Sequence, residues 1–205
     1  MSKRIFQFAG GFWVAALLCT IVQFVESWME SSNWILNDQA TVLNVFDALW
    51  WDAKSVLTEE LIYRGALLYL LINYLGSKKA ILLSASAFGI YHWFSFGIFG
   101  NLIPMILVFL GTGLMGYAWA LSYHKTKSIM MGFGLHLGWN VVLNTFFSKG
   151  PLGDQLLLKQ GGSMMGDWAS LLIFLMPLIV IPVVTLLFVN YAVTKEDASD
   201  ELSLN

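Results

Sequence analysis

The sequence predicts an all-α, polytopic transmembrane helical bundle, on three observations. Of its 205 residues, 58% are hydrophobic and only 12% are charged. Mean hydropathy is +0.69, well outside the range of water-soluble domains. Six apolar runs, at 5–25, 58–76, 80–97, 102–122, 129–147 and 168–193, come near the about 20 residues that a helix needs to cross a bilayer. Because a chain in lipid must satisfy its own backbone, these runs are expected to be helical. The expectation is about six spans in a single membrane domain, 1–205, with no repeat or low-complexity segment.

The first run follows Lys3 and Arg4 as a secretory signal would, but lacks a small-residue cleavage site, so an uncleaved first span is expected. Leu17 and Leu18 precede Cys19 where a lipidation signal would place a small residue. As the single cysteine, Cys19 allows neither an intrachain disulfide nor a cysteine metal cluster. Between the first two runs, residues 34–55 (WILNDQATVLNVFDALWWDAKS) mix apolar patches with Asp38, Asp47 and Asp52, the pattern of an amphipathic or re-entrant helix. Trp28, Trp34, Trp50 and Trp51 suit an aromatic interface belt. Residues 149–167 are glycine-rich and half polar, which predicts an extramembrane loop. Residues 194–205 (TKEDASDELSLN) read as a solvated tail.

With 11 Lys and Arg against 13 Asp and Glu, nothing suggests a nucleic-acid partner; the lipid bilayer is the expected surrounding. If six spans alternate, Lys3, Arg4, Lys78, Lys79, Lys125, Lys127 and Lys195 share one side and leave Lys54, Lys149 and Lys159 for the other. The positive-inside rule makes the first side cytoplasmic, together with both termini.

Ionisable side chains inside a span cost about 2.5–3.5 kcal/mol each on insertion scales, which makes each a functional-site hypothesis. The second run, TEELIYRGALLYLLINYLG, holds Glu59, Glu60 and Arg64 in what reads as its first two turns; His92 and His136, with the amide of Asn140, sit in later runs. Glu60 and Arg64 are spaced i, i+4 and can pair structurally, and acidic groups at a helix start are favoured by the dipole. Glu59 points about 100° away from Glu60, so it must face something else. At about 1.5 Å rise per residue, His92 and Asn140 lie roughly 20 Å from their nearest lysine-rich ends and His136 roughly 14 Å. Glu59 comes out at roughly 28 Å by the same rise and needs tilt or a bent helix start to reach them. Gly65, Gly89, Gly132, Gly134 and Gly138 are candidates for close helix approach.

A carboxylate and an imidazole that can take a proton from water, plus an imidazole and an amide that can donate to an oxyanion, suit peptide hydrolysis without a covalent intermediate. No Gly-x-Ser-x-Gly elbow is present. A zinc ion on Glu59, His92 and His136 is the competing reading of the same residues, although the usual HExxH spacing is absent.

EELIYR at 59–64, FGIYH at 88–92 and HLGWN at 136–140 resemble the EExxxR, FxxxH and HxxxN motifs of the CPBP family. That family includes the type II CAAX prenyl endopeptidases and the bacteriocin-processing and immunity (Abi-like) proteins, also described as glutamic-type intramembrane proteases. The resemblance covers about residues 50–147. It implies that Glu59 with His92 activates water, that His136 and Asn140 stabilise the oxyanion, and that Glu60 and Arg64 brace the site, without a metal cofactor. The implied substrate is a membrane-associated protein or peptide, and the implied location is a bacterial plasma (inner) membrane. Prenyl-processing members receive substrate from the cytoplasm, whereas the charge bias turns the Glu59 end of its helix to the opposite face. A substrate at the outer leaflet is therefore expected if that topology holds. Two rival classes are a catalytically silent adaptor or immunity protein of the same fold, and a transporter. The transporter would require inverted repeats, which the sequence lacks.

Overall fold

The computed structural model describes residues 2–203, with side chains from 3 to 193. In chain order the elements are α1 (Ser2–Glu30), β1 (Ser32–Leu36), α2 (Val42–Glu60), a π-helical segment (Leu61–Leu67), α3 (Leu68–Leu75), α4 (Ser77–Ser95) and α5 (Leu102–Thr126). They continue with α6 (Met130–Asn140), a second π-helical segment (Val141–Phe146), β2 (Leu157–Gly161), α7 (Asp167–Leu175), a third π-helical segment (Met176–Val180) and α8 (Ile181–Ser203). The protein is all-α in class, and each of the six apolar runs is helical over most of its length. The solvation expected for 194–205 concerns side chains outside the described residues.

Among the described residues, three helical stretches are long and apolar enough to cross a membrane: Lys3–Glu30, Leu102–Thr126 and Asp167–Val193. Six spans were expected, and polarity and length account for the difference. The helix through 58–76 carries Glu59, Glu60 and Arg64, α4 holds Lys78, Lys79 and His92, and α6 has only 11 residues before its π-helical continuation.

Two local expectations also change. Thr41 Oγ1 accepts a hydrogen bond from the Asn44 amide at 3.2 Å, an N-cap that starts α2 at Val42. The helix of the second run therefore begins well before residue 58, and Glu59 and Glu60 stand at the far end of α2 instead of in a first turn. A helix-start dipole does not explain them. Residues 34–36, expected in the amphipathic helix, lie instead in β1, which pairs antiparallel with β2 from Ser32↔Gly161 to Leu36↔Leu157. A strand thus crosses the 149–167 segment expected to be loop. Five residues without clear alternation leave little periodic signal for such a strand.

The chain divides into two compact units, Met1–Glu59 with Phe133–Met176, and Glu60–Gly132 with Pro177–Asn205. In the first unit α1 and α6 meet backbone to backbone. A Cβ on Gly134 would run into the Phe8 carbonyl, and one on Gly138 into the Phe12 carbonyl. This is the small-residue contact of membrane helices. Val56, Leu137 and Val141 form a core with Phe8, Phe12, Leu49 and Ala53, holding α2 to α6. At the other end of α1 from Lys3, the strand pair is secured by ions: Lys149 donates to Glu26 at 2.5 Å, and Lys159 donates to Glu26 at 2.9 Å and to Glu30. Burial works against the Lys159 charge, but its bonds to Glu30 and Glu26 prevail and raise its pKa above the usual lysine value.

The second unit is built on α4 against α5, with α3 and α8 beside them. Leu68, Ala80, Ile81 and Ala120 form its core. A Cβ on Gly89 would lie 2.8 Å from the Phe109 ring, so α4 and α5 approach closely there. Gly65, by contrast, meets its neighbours no nearer than 3.8 Å and is not a close-approach position. Ser84 of α4 donates to the Tyr63 carbonyl at 2.8 Å, pinning the first π-helical segment.

The Gly138 contact predicts that Gly138→Ala forces α1 and α6 apart. The expected loss is about 1–3 kcal/mol of stability, the range for overpacking, read as a lower melting temperature in detergent. An unchanged melting temperature would mean that the helix pair is not closely seated.

Candidate active site

The motif residues divide between the two units. Glu59, His136 and Asn140 belong to the first; Glu60, Arg64 and His92 belong to the second.

In the first unit, α2 brings Glu59 to α6. The Glu59 Oε2 atom lies 3.9 Å from His136 Nε2, with the two side chains 16% and 5% exposed. The height difference expected between them does not arise. That arithmetic ran from Lys78 back to Glu59 as straight α-helix, whereas Leu61–Leu67 is π-helical and the chain leaves helical geometry at Gly76, φ 76°, before α4. Asn140, half-buried, is the last residue of α6, one turn beyond His136.

A set of side chains that the sequence reading passed over lies in the same unit. Asp52 is fully buried. Its Oδ1 accepts from Asn144 Nδ2 at 2.6 Å and its Oδ2 from Thr145 Oγ1 at 3.0 Å. Two signals pointed to it: Asp52 precedes Glu59 by two helical turns, and Asn144 follows Asn140 by one. Asp52 had been read as a polar mark of an interfacial helix, which hid the first signal.

In the second unit, Arg64 Nη1 lies 3.1 Å from Glu60 Oε1, and both side chains are 0% exposed. The guanidinium carbon stands 4.1 Å from the centre of the Phe88 ring, 5.1 Å from Trp119 and 5.9 Å from Tyr63. Aromatic faces attract a desolvated cation and replace part of the water that burial removes. Glycines make the space: a Cβ on Gly116 would lie 3.1 Å from Arg64 Nη2, and one on Gly132 would lie 3.3 Å from Glu60 Oε2. His92, buried on α4, has Nδ1 2.8 Å from the Phe88 carbonyl one turn back, and its ring packs edge-on to Phe88 and Phe96. Since a carbonyl only accepts, Nδ1 donates there. In the neutral ring this places the lone pair on Nε2.

Among the described residues, no three His, Cys, Asp or Glu side chains are grouped as a metal ion would require.

Removing one partner of a buried ion pair leaves the other charge uncompensated. Arg64→Ala is therefore expected to cost about 3–5 kcal/mol of stability. Arg64→Lys keeps the charge but loses the planar stacking on Phe88, and is expected to fall between Arg64→Ala and wild type in thermal unfolding. A wild-type melting temperature for Arg64→Ala would show the pair to be hydrated.

No curated protein and no solved structure matches the chain. A family model described as type II CAAX prenyl endopeptidase Rce1-like matches residues 40–142, about half of the sequence. The match runs from just before α2 to just past α6 and takes in Glu59, Glu60, Arg64, His92, His136 and Asn140. With its three motifs inside that match, the chain belongs to the Rce1-like family of type II CAAX prenyl endopeptidases.

Proposed function

We propose that this chain is a glutamic-type intramembrane endopeptidase that hydrolyses a peptide bond in a membrane-associated protein or peptide. The observation carrying this reading is Glu59: its side chain keeps 16% exposure while its buried Oε2 faces an imidazole nitrogen at 3.9 Å. The paired Glu60, by contrast, is sealed.

In the proposed chemistry Glu59, assisted by His92, takes a proton from water as the water oxygen bonds to the scissile carbonyl carbon. The C=O π electrons move to the carbonyl oxygen, and His136 and Asn140 donate hydrogen bonds to that oxyanion. Collapse restores the carbonyl, breaks the C–N bond and returns the proton to the leaving amine. An N–H at His136 Nε2 suits both its present neighbour, a carboxylate, and an oxyanion. With Nδ1 donating to the Phe88 carbonyl, His92 Nε2 is the nitrogen that would act as base. Glu60 and Arg64 hold the backbone of the EELIYR turn.

The test uses purified protein in liposomes with two fluorogenic probes, a farnesylated CAAX-tailed peptide and an unmodified peptide tethered by a transmembrane segment. Wild type is expected to cleave one or both, with or without a strong chelator, and Glu59→Gln neither. Asn140→Ala should slow cleavage by about 10²–10³, the effect of losing an oxyanion donor. Loss of activity on chelation would replace this mechanism by the zinc reading. Failure to cleave either probe, or full activity in Glu59→Gln, would leave the adaptor reading.

We further propose a multi-pass protein of the plasma membrane with both termini cytoplasmic and the Glu59 end of α2 toward the outer face. The only native cysteine, Cys19, is buried, so an impermeant thiol reagent should label intact cells only at an introduced Lys54→Cys and not at Lys125→Cys. The reverse pattern overturns the orientation.

A further inference from the structure

We infer that Asp52 is a positioning residue of this site, tying the turn that follows Asn140 to the helix that carries Glu59. The inference rests on the function proposed above. Glu59 sits at the end of α2 and Asp52 two turns earlier on the same helical face. Both donors to the Asp52 carboxylate, Asn144 and Thr145, belong to the π-helical segment that begins directly after Asn140.

Apolar contacts of Val56 with Leu137 and Val141 bring α2 and α6 together, but such contacts are non-directional. They tolerate the small slides and rotations that would separate Glu59 from His136. Two hydrogen bonds to the two oxygens of one buried carboxylate do not.

The donors are held in turn. Gly150 lies against the Asn144 amide, where any larger side chain would collide with it. The Thr145 carbonyl accepts from the Leu156 amide at 3.2 Å, next to the start of β2. Asp52 is also within electrostatic reach of His136.

A merely structural carboxylate would be felt as lost stability. A positioning one is felt in kcat, because a displacement of about 1 Å at reacting groups costs about 10²-fold. Asp52→Asn keeps the shape and one acceptor but loses the second. It is expected to lower kcat by about 10–100-fold on whichever probe wild type cleaves, with KM and melting temperature unchanged. Thr145→Val should lower kcat in the same direction, and Thr145→Ser, which restores the hydroxyl, should recover it.

Wild-type kcat in both Asp52→Asn and Thr145→Val overturns the inference, as does a loss that only follows the folded fraction. If Asp52→Asn does not fold, the Thr145 pair decides. Glu59→Gln is assayed alongside. An inactive Glu59→Gln beside a fully active Asp52→Asn removes the positioning role alone; an active Glu59→Gln removes the site itself and this inference with it.

Discussion

The buried Glu60–Arg64 pair is the interaction around which the second unit is arranged. Two charges at 0% exposure carry a desolvation penalty of several kcal/mol per ion, and the surrounding sequence reads as the means of meeting it. Phe88 and Trp119 supply ring faces, and Gly116 and Gly132 withhold the side chains that would displace the ions. The i, i+4 geometry needs a helical turn at 60–64, so the pair also fixes the rotation of that turn.

Two π-helical segments begin directly after motif residues, one after Glu60 and one after Asn140. A π turn widens the helix and gives neighbouring side chains directions that a regular α-helix would not. After Asn140, this lets consecutive residues Asn144 and Thr145 both reach Asp52, one to each carboxylate oxygen. After Glu60, the Tyr63 carbonyl accepts both the Leu68 amide and the Ser84 hydroxyl. The irregular backbone is thus held by side chains from other helices, which low-dielectric surroundings require.

The parts of this architecture legible in the sequence are those with helical periodicity. Glu60 with Arg64 and His136 with Asn140 could be placed on shared faces from spacing alone, and Gly134 and Gly138 could be read as sites of close approach. The start of α2 at Val42 was obscured because apolar length was taken to mark the helix, while its actual signal is the single Thr41 cap. β1 and β2 were obscured because a short strand pair joined across more than a hundred residues has no local signature. Asp52 was obscured for another reason: a carboxylate on an amphipathic helix ordinarily marks the exposed face, as Asp47 does here, and spacing alone does not tell the buried Asp52 from it.

Along α2 the residues recurring every fourth position, Ala48, Asp52, Val56 and Glu60, are buried, while Val42, Leu43, Phe46 and Trp50 are exposed. The exposed side also carries Asn44, Asp47 and Lys54, and such a mixture of apolar and polar groups is that of a helix at a membrane interface. The buried carboxylates bear on chemistry. Hydrolysis within a membrane needs polar groups gathered where the bilayer cannot supply water, and those groups must first survive burial. Asp52, Glu60 and Arg64, all fully buried, do so through partners on neighbouring turns and helices. Glu59, in the same stretch of chain, is the carboxylate that retains some exposure, 16% of its side chain. The sealed charges hold the backbone of their turns, and the residual exposure falls on the carboxylate beside them.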